Sequence, residues 1–254
     1  KSEHHQLMGS VLSKVVEDAY NKNMFRNPKT LLKDLRELAK LEFEKLEKTH
    51  TLVWSYMTRE EALDTVLSGV RNFLEIVKEN KLTGPYRRSE LKMTPQINHK
   101  FKVCGIADLV FRDTEGRIHI LDGKNAMTPM KYEDEDQLRW YALCFRLEYG
   151  KLPDELAFFY FRYPSSNPPK SHEGESDWSG MIKVSLDEDD IRRLGSEAIA
   201  TERAISSGVF EANPIPKNCT FCQFENVCPP RQEQKKRNAS KRKKKKPKEA
   251  PPTG

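Results

Sequence analysis

Two stretches of this 254-residue chain carry side chains whose types and spacing could do chemistry. The first is Ile118-His119-Ile120-Leu121-Asp122-Gly123-Lys124. Read as a strand, it turns alternate side chains to one face, so Ile120, Asp122 and Lys124 point the same way and an acid shares the strand's end with a lysine. Asp108 follows Gly105 on the preceding apolar run, and the turn sequence Asp113-Thr114-Glu115-Gly116 predicts a hairpin that brings its carboxylate beside that of Asp122. Two such carboxylates at a sheet edge supply the oxygen ligands that Mg2+ or Mn2+ prefers, and the lysine stabilises charge or positions water. Taken alone the pattern is weak, because acids at strand ends are usually solvated turn residues.

The second stretch is C-x2-C-x5-C at Cys219, Cys222 and Cys228, among Pro214, Pro216, Pro229 and Pro230, which is metal-ligand spacing in a rigid loop. The other two cysteines, Cys104 and Cys144, sit inside apolar patterns and read as small buried hydrophobes; the odd total argues against a disulfide framework. Between the two stretches, Gln137 and Tyr141 stand at i and i+4 and present an amide and a phenol on one helix face, available to a nucleic acid strand.

The elements that must position these groups follow from periodicity. Apolar residues at helical spacing predict helices over Leu7–Asn21, Thr30–Lys48 and Arg59–Asn80. From Glu90 the period changes. Ser89–Thr94, Lys100–Phe111 and Arg117–Lys124 read as strands, followed by a helix over about Glu133–Tyr149, a strand over Leu156–Tyr163, a short strand near Met181–Val184 and a helix over Asp187–Ser207. Strands, helix, then strand again is an α/β pattern.

Composition bounds the rest. Hydrophobic residues make up 37% and charged residues 32%, and no run approaches the roughly 18 apolar residues of a membrane span. The first twenty residues lack a secretory apolar core, so an intracellular protein is expected. The net charge of +6 is uneven: residues 231–254 hold eleven Lys and Arg against Glu233 and Glu249, a net +9, which leaves −3 for residues 1–230. A basic run with almost nothing apolar predicts a disordered tail that holds nucleic acid phosphates, serves as a nuclear import signal in a eukaryote, or simply stays solvated.

In order, the chain reads G-x-x-D ending at Asp108, I-L-D-x-K ending at Lys124, Q-x-x-x-Y from Gln137 to Tyr141, F-x-x-x-P-x-P from Phe210 to Pro216, and C-x2-C-x5-C-P ending at Pro229. From about Gly9 to Pro229 this resembles the RecB/AddB branch of the PD-(D/E)XK nucleases, including the CRISPR-associated RecB-like exonucleases. The resemblance implies a restriction-endonuclease-like core, a mixed central sheet flanked by helices, with a helical N-terminal portion and a cysteine-rich C-terminal loop. It implies a single domain over 1–230, with a helical insertion at about 28–82, a core at about 86–210 and the cysteines at 214–230.

By the same resemblance Asp108 and Asp122 are metal-binding carboxylates, the Gly123 carbonyl is a further ligand, Lys124 is the catalytic lysine, and Gln137 and Tyr141 orient DNA and the site. Glu90 matches an acid often found on the preceding strand. The family's first helix reads G-x-x-x-H-x-x-x-E, whereas here Gly9, Ser13 and Glu17 put a serine at the histidine position, and Glu17 could supply an oxygen instead. His4 and His5 come too early to align. The cysteines imply a [4Fe-4S] cluster whose fourth ligand lies upstream of Lys1; a Zn2+ site completed by Cys104, Cys144 or a histidine is the alternative. The implied activity is hydrolysis of phosphodiester bonds at single-stranded DNA ends. With no G-x-x-x-x-G-K-[ST] loop, unwinding would fall to a helicase partner. A degenerate nuclease serving as a DNA-binding scaffold is the alternative reading, and a Zn-bound adaptor carrying the basic tail is a third.

Overall fold

The computed structural model describes the chain apart from residue 1 and residues 51, 55–56, 85, 99–100, 127–133, 171–177, 209–211, 213–218, 220–221 and 245–254; side chains at 2–5, 52–53 and 241–244 are likewise outside the description. Phe210, Pro214 and Pro216 of the proline motif fall in the undescribed segments, as do the His4 and His5 side chains. The described structure divides into two compact units, Lys1–Ile199 and Ala200–Gly254.

In the first unit a five-stranded sheet has the order β3-β4-β5-β6-β7: β3 (Tyr86–Met93), β4 (Gly105–Arg112), β5 (Ile118–Lys124), β6 (Glu155–Tyr160) and β7 (Met181–Val184). All neighbours are antiparallel except β5 and β6, which run parallel because helix α4 (Glu135–Tyr149) crosses between them. A separate two-residue pairing joins β1 (Ser2–Glu3) to β2 (Leu52–Val53). The expected hairpin is present: Leu109 pairs with Leu121, and the Asp113 carboxylate accepts the Glu115 and Arg117 amides at 2.9 Å while Gly116 takes φ +86°. Strand β3 begins three residues earlier than the pattern predicted and β4 five residues later; between them only a Gln96–Lys102 bridge is formed among the described residues.

Two apolar layers cover the sheet. Helices α1 (His4–Asn21), α2 (Leu31–Thr49) and α3 (Arg59–Glu79) pack Val11, Leu12, Leu35, Phe43, Val70 and Phe73 against Leu109, Phe111, Leu121 and Phe159. The three helices together cover this face of the sheet. Helix α3 starts at a capping box, in which Thr58 and Glu61 each accept the other's backbone N–H, at 3.2 and 2.7 Å. On the opposite face α4 and α5 (Glu188–Ser206) pack Leu138, Ala142, Phe145, Ile191 and Leu194 against Val110, Ile120, Leu156 and Phe158. Strand β5 is thus buried on both sides, as expected of a central strand. The polar His119 near its start is accommodated by stacking on Phe111, with ring centroids 4.5 Å apart, and by contacts of 3.0 and 3.4 Å with Asp113 and Glu155.

In the second unit the basic segment is described as far as residue 244. Pro229–Lys244 forms helix α6. Prolines fit at a helix's first turn, where their missing N–H has no partner to lose, and Glu225 draws Arg231 and Lys235 to 3.0 and 3.3 Å across that turn. The remaining tail, 245–254, lies outside the described residues.

Candidate active site

The site begins with an irregularity shared by β3 and β4. Residues two apart on a strand face the same way. Yet Ser89 reaches α1, donating its hydroxyl to the Glu17 carbonyl at 3.2 Å, whereas Leu91 packs with the α4 layer. On β4, Leu109 likewise belongs to the α1–α3 layer and Ala107 to the α4 layer. The face changes at Glu90, whose φ of +51° is unusual for a side-chain-bearing residue, and at Asp108 directly opposite; the register on either side is unbroken, with Ser89 paired to Leu109 and Leu91 to Ala107. Two acids therefore meet where the sheet exchanges its faces.

Asp122, on the next strand, adds a third. Asp108 Oδ2 accepts the Gly123 N–H at 2.9 Å, which ties the two strands' acids together. Lys124 Nζ lies 2.5 Å from Asp122 Oδ2, 2.8 Å from Gln137 Oε1 as its donor, and 5.0 Å from the centre of the Phe158 ring. Gln137 Nε2 donates to Asp122 Oδ1 at 3.0 Å and to the Tyr141 hydroxyl at 2.8 Å. Asp108, Asp122, Gly123, Lys124, Gln137 and Tyr141 thus converge, with α4 leaning its Gln137–Tyr141 face over the end of β5. Gly123 is fixed by close approach: a Cβ there would stand 2.7 Å from Phe159 Cζ.

Electrostatics mark the cluster as short of positive charge. Burial, then the neighbouring Asp122 and Glu90 charges, push the Asp108 carboxyl well above the usual carboxylate range against the pull of the Gly123 amide. Burial also raises Asp122, opposed by Lys124. Glu90, though exposed, is raised by desolvation and then by Glu17 and Asp122. Burial pushes the Tyr141 phenol up to about 12, so it stays protonated. Among the described residues Asp122 Oδ2 is buried without a hydrogen bond, 2.5 Å from the Lys124 ammonium. Hard oxygens held close against their own repulsion suit a divalent cation. Among the described residues no three His, Cys, Asp or Glu side chains gather into a metal-holding group, so the side chains that could hold one here are the two aspartates.

On α1, Ser13 is half-buried one turn before Glu17, and Glu17 is held by Lys14 at 2.8 Å, while Lys14 also reaches Asp18 at 3.1 Å. Sequence reasoning overlooked Lys14 and also Asn125. The residue follows Lys124, and both its amide atoms are buried without a partner among the described residues; nothing in a lone Asn after D-G-K signals this. Of the cysteines, Cys219 is buried, Cys222 exposed and Cys228 intermediate, and among the described residues no metal-holding group of three is formed. Cys144 is buried, as expected, but Cys104, just before β4, is exposed rather than buried, its carbonyl accepting from Trp140 Nε1 at 2.9 Å.

Comparison with protein families decides the lineage: the family description "PD-(D/E)XK nuclease superfamily" matches residues 1–229. The chain belongs to the PD-(D/E)XK nuclease superfamily. The mixed five-stranded sheet with helices on both faces is consistent with the restriction-endonuclease-like fold of these nucleases. Comparison with curated proteins gives no match. Among solved structures the chain is similar to SSO0001, at 19% identity over 76% of this chain and 80% of that one with a TM-score of 0.36. It is also similar to the protein VC1899 from Vibrio cholerae, at 15% identity over 79% and 57% with a TM-score of 0.27. Members of the superfamily are generally phosphodiester-hydrolysing nucleases that use Mg2+ or Mn2+ and act on DNA. Among the described residues no helix is long and apolar enough to cross a membrane.

Proposed function

We propose that this PD-(D/E)XK chain is a divalent-cation-dependent deoxyribonuclease of the RecB/AddB kind that degrades single-stranded DNA from its ends. The observation that carries the hydrolytic reading is the joining of Asp122, Lys124 and Gln137 into one hydrogen-bonded and ion-paired group, beside which the Gly123 amide holds Asp108. The preference for ends, the branch and a helicase or integration partner rest on the order of the sequence motifs. When bound, Mg2+ or Mn2+ supplies Lewis-acid charge at the phosphate and lowers the pKa of water. Asp108 and Asp122 would hold the cation, and Lys124, paired with Asp122 in this structure, would offer its ammonium to the phosphate or the attacking water. Gln137 keeps both groups in place.

End-labelled single-stranded and duplex DNA, incubated with the protein and Mg2+, Mn2+ or chelator, tests this reading. Single-stranded DNA should shorten stepwise only with the cation. Asp122→Ala should abolish the reaction, and Lys124→Ala should slow it by about 10²- to 10³-fold, the range for removing one charge-stabilising donor. Wild-type protein that binds DNA yet cuts none of it in either metal would establish the binding scaffold instead.

A further inference from the structure

On the α4 side of the sheet, the first residues of β3 and the last of β4 hold exposed arginine and tyrosine side chains away from the carboxylates. Arg88 pairs with Val110 and Tyr86 with Arg112, and Val110 packs in the α4 layer, so by the two-residue period Tyr86, Arg88 and Arg112 share that face. The Arg112 guanidinium stands 5.8 Å from the centre of the Tyr86 ring, within cation–π range. Both arginines are exposed, and neither has a side-chain hydrogen bond or an ion pair among the described residues, unlike Arg87, which donates to Asn23 Oδ1. The end of α4 completes the group. Tyr149, 46% exposed, tilts its ring against the buried Phe145 with centroids 4.6 Å apart. Desolvation and then the Glu148 charge raise its phenol, with Tyr86 adding to this and Arg88 opposing it, which sets Tyr149 beside both. Glu148 itself is engaged, accepting the Thr94 amide at 2.9 Å. Eight residues of α4, about 12 Å, separate Tyr149 from Tyr141, and four residues of β4, about 13 Å, separate Arg112 from Asp108.

From this arrangement we infer that Tyr86, Arg88, Arg112 and Tyr149 form a binding patch for a single nucleic acid strand, its phosphates on the two arginines and its bases on the two tyrosine rings. The inference rests on the nuclease reading for what the patch serves, which is to hold the substrate at a distance from the carboxylates. Its physical basis is separate. Residues 1–230 carry a net −3, so a polyanion that settles on this part of the chain needs local cations, and two guanidinium groups with no acid of their own supply them. Cationic and aromatic side chains side by side are what binding without sequence preference uses on single strands, because every unpaired base offers a face on which a ring can stack. In a duplex those faces are covered by neighbouring bases, so the tyrosines select the single strand. The competing explanation is that the two arginines merely blunt the end of an edge strand against aggregation.

Binding of a fluorescein-labelled dT20 strand to the full chain, followed by anisotropy in EDTA between 50 and 200 mM NaCl, separates the two without requiring cleavage. Each variant is read at a temperature where its circular dichroism matches that of the wild type. Arg88→Gln with Arg112→Gln should weaken binding tenfold or more at 0.1 M salt and flatten the slope of log K against log [NaCl] by about 1.4, the value for two lost single-strand phosphate contacts at about 0.7 each. Tyr86→Ala with Tyr149→Ala should weaken binding about fivefold or more and leave the slope unchanged, since stacking releases no counterions. Lys29→Gln with Lys33→Gln, exposed lysines near the start of α2, should leave affinity and slope unchanged. Unaltered binding in either patch variant, or equal loss in the α2 control, overturns the patch; unaltered binding with self-association of the arginine variant would assign those residues to edge protection instead. Failure of the nuclease reading looks different: wild-type protein would bind with the patch-dependent slope and still cut nothing in Mg2+ or Mn2+.

Discussion

Gln137 connects three polar groups of the site. Its Oε1 accepts from Lys124 and its two Nε2 hydrogens go to Asp122 and Tyr141, so a single neutral amide fixes an acid, a base and a phenol. Replacing it with methionine keeps length and burial while removing all three bonds. Residues that orient catalytic ligands typically change activity by about 10- to 100-fold, and Gln137→Met should lower kcat by that amount with oligonucleotide KM changed less than about twofold. Gln137→Glu should do worse, because it sets a further carboxylate against Asp122. Steady-state cleavage kinetics alongside thermal melting check this; a loss confined to stability, with kcat intact in the folded fraction, would show that the amide only packs.

At the scale of elements, the paired irregularity of β3 and β4 is where strain and function coincide. A residue with a side chain in the left-handed region costs about 1–3 kcal/mol, and Glu90 also sits among the charges of Glu17 and Asp122. Glu90→Gly removes both burdens at an exposed position. It should raise unfolding free energy by about 1 kcal/mol in urea titrations and lower cation-dependent cleavage, an exchange of stability for activity. Destabilisation together with full activity would contradict it. This feature also marks the limit of what the sequence could tell. Asp108, Asp122 and Lys124 were legible because hairpin register and strand alternation are local rules, and Gln137 with Tyr141 because i, i+4 spacing is local too. That Gln137 bridges back to Lys124 depends on how α4 crosses from β5 to β6, and that Glu90 stands opposite Asp108 depends on one backbone angle; neither has a sequence period. The boundaries of β3 and β4 were missed for a similar reason, since Tyr86-Arg87-Arg88 lacks an apolar alternation and enters the sheet by pairing with Phe111 and Arg112.

Over the whole molecule, apolar packing and charge are placed in different parts of the chain. Both hydrophobic clusters are assembled from residues between Leu7 and Leu194, whereas the net +9 lies beyond Pro230. The basic segment therefore contributes little to what holds the fold, and like charges four apart on α6 oppose its helix. Helix α6 also lacks the apolar face of a membrane-surface helix: from Pro229 to Lys244 its only uncharged, nonpolar residues are two prolines and Ala239. A polyanion is the partner that such a segment fits. A chain ending at Pro230 should melt within about 2 °C of the full chain, while its affinity for single-stranded DNA at 0.1 M salt falls several-fold and its salt dependence flattens. The two readouts separate the alternatives. A large drop in melting temperature would give the basic segment a structural role. Complete loss of DNA binding would make it the main nucleic acid contact, as in a tail-carrying adaptor. Partial loss leaves the remaining affinity in a body of net charge −3, where it must come from cations placed locally.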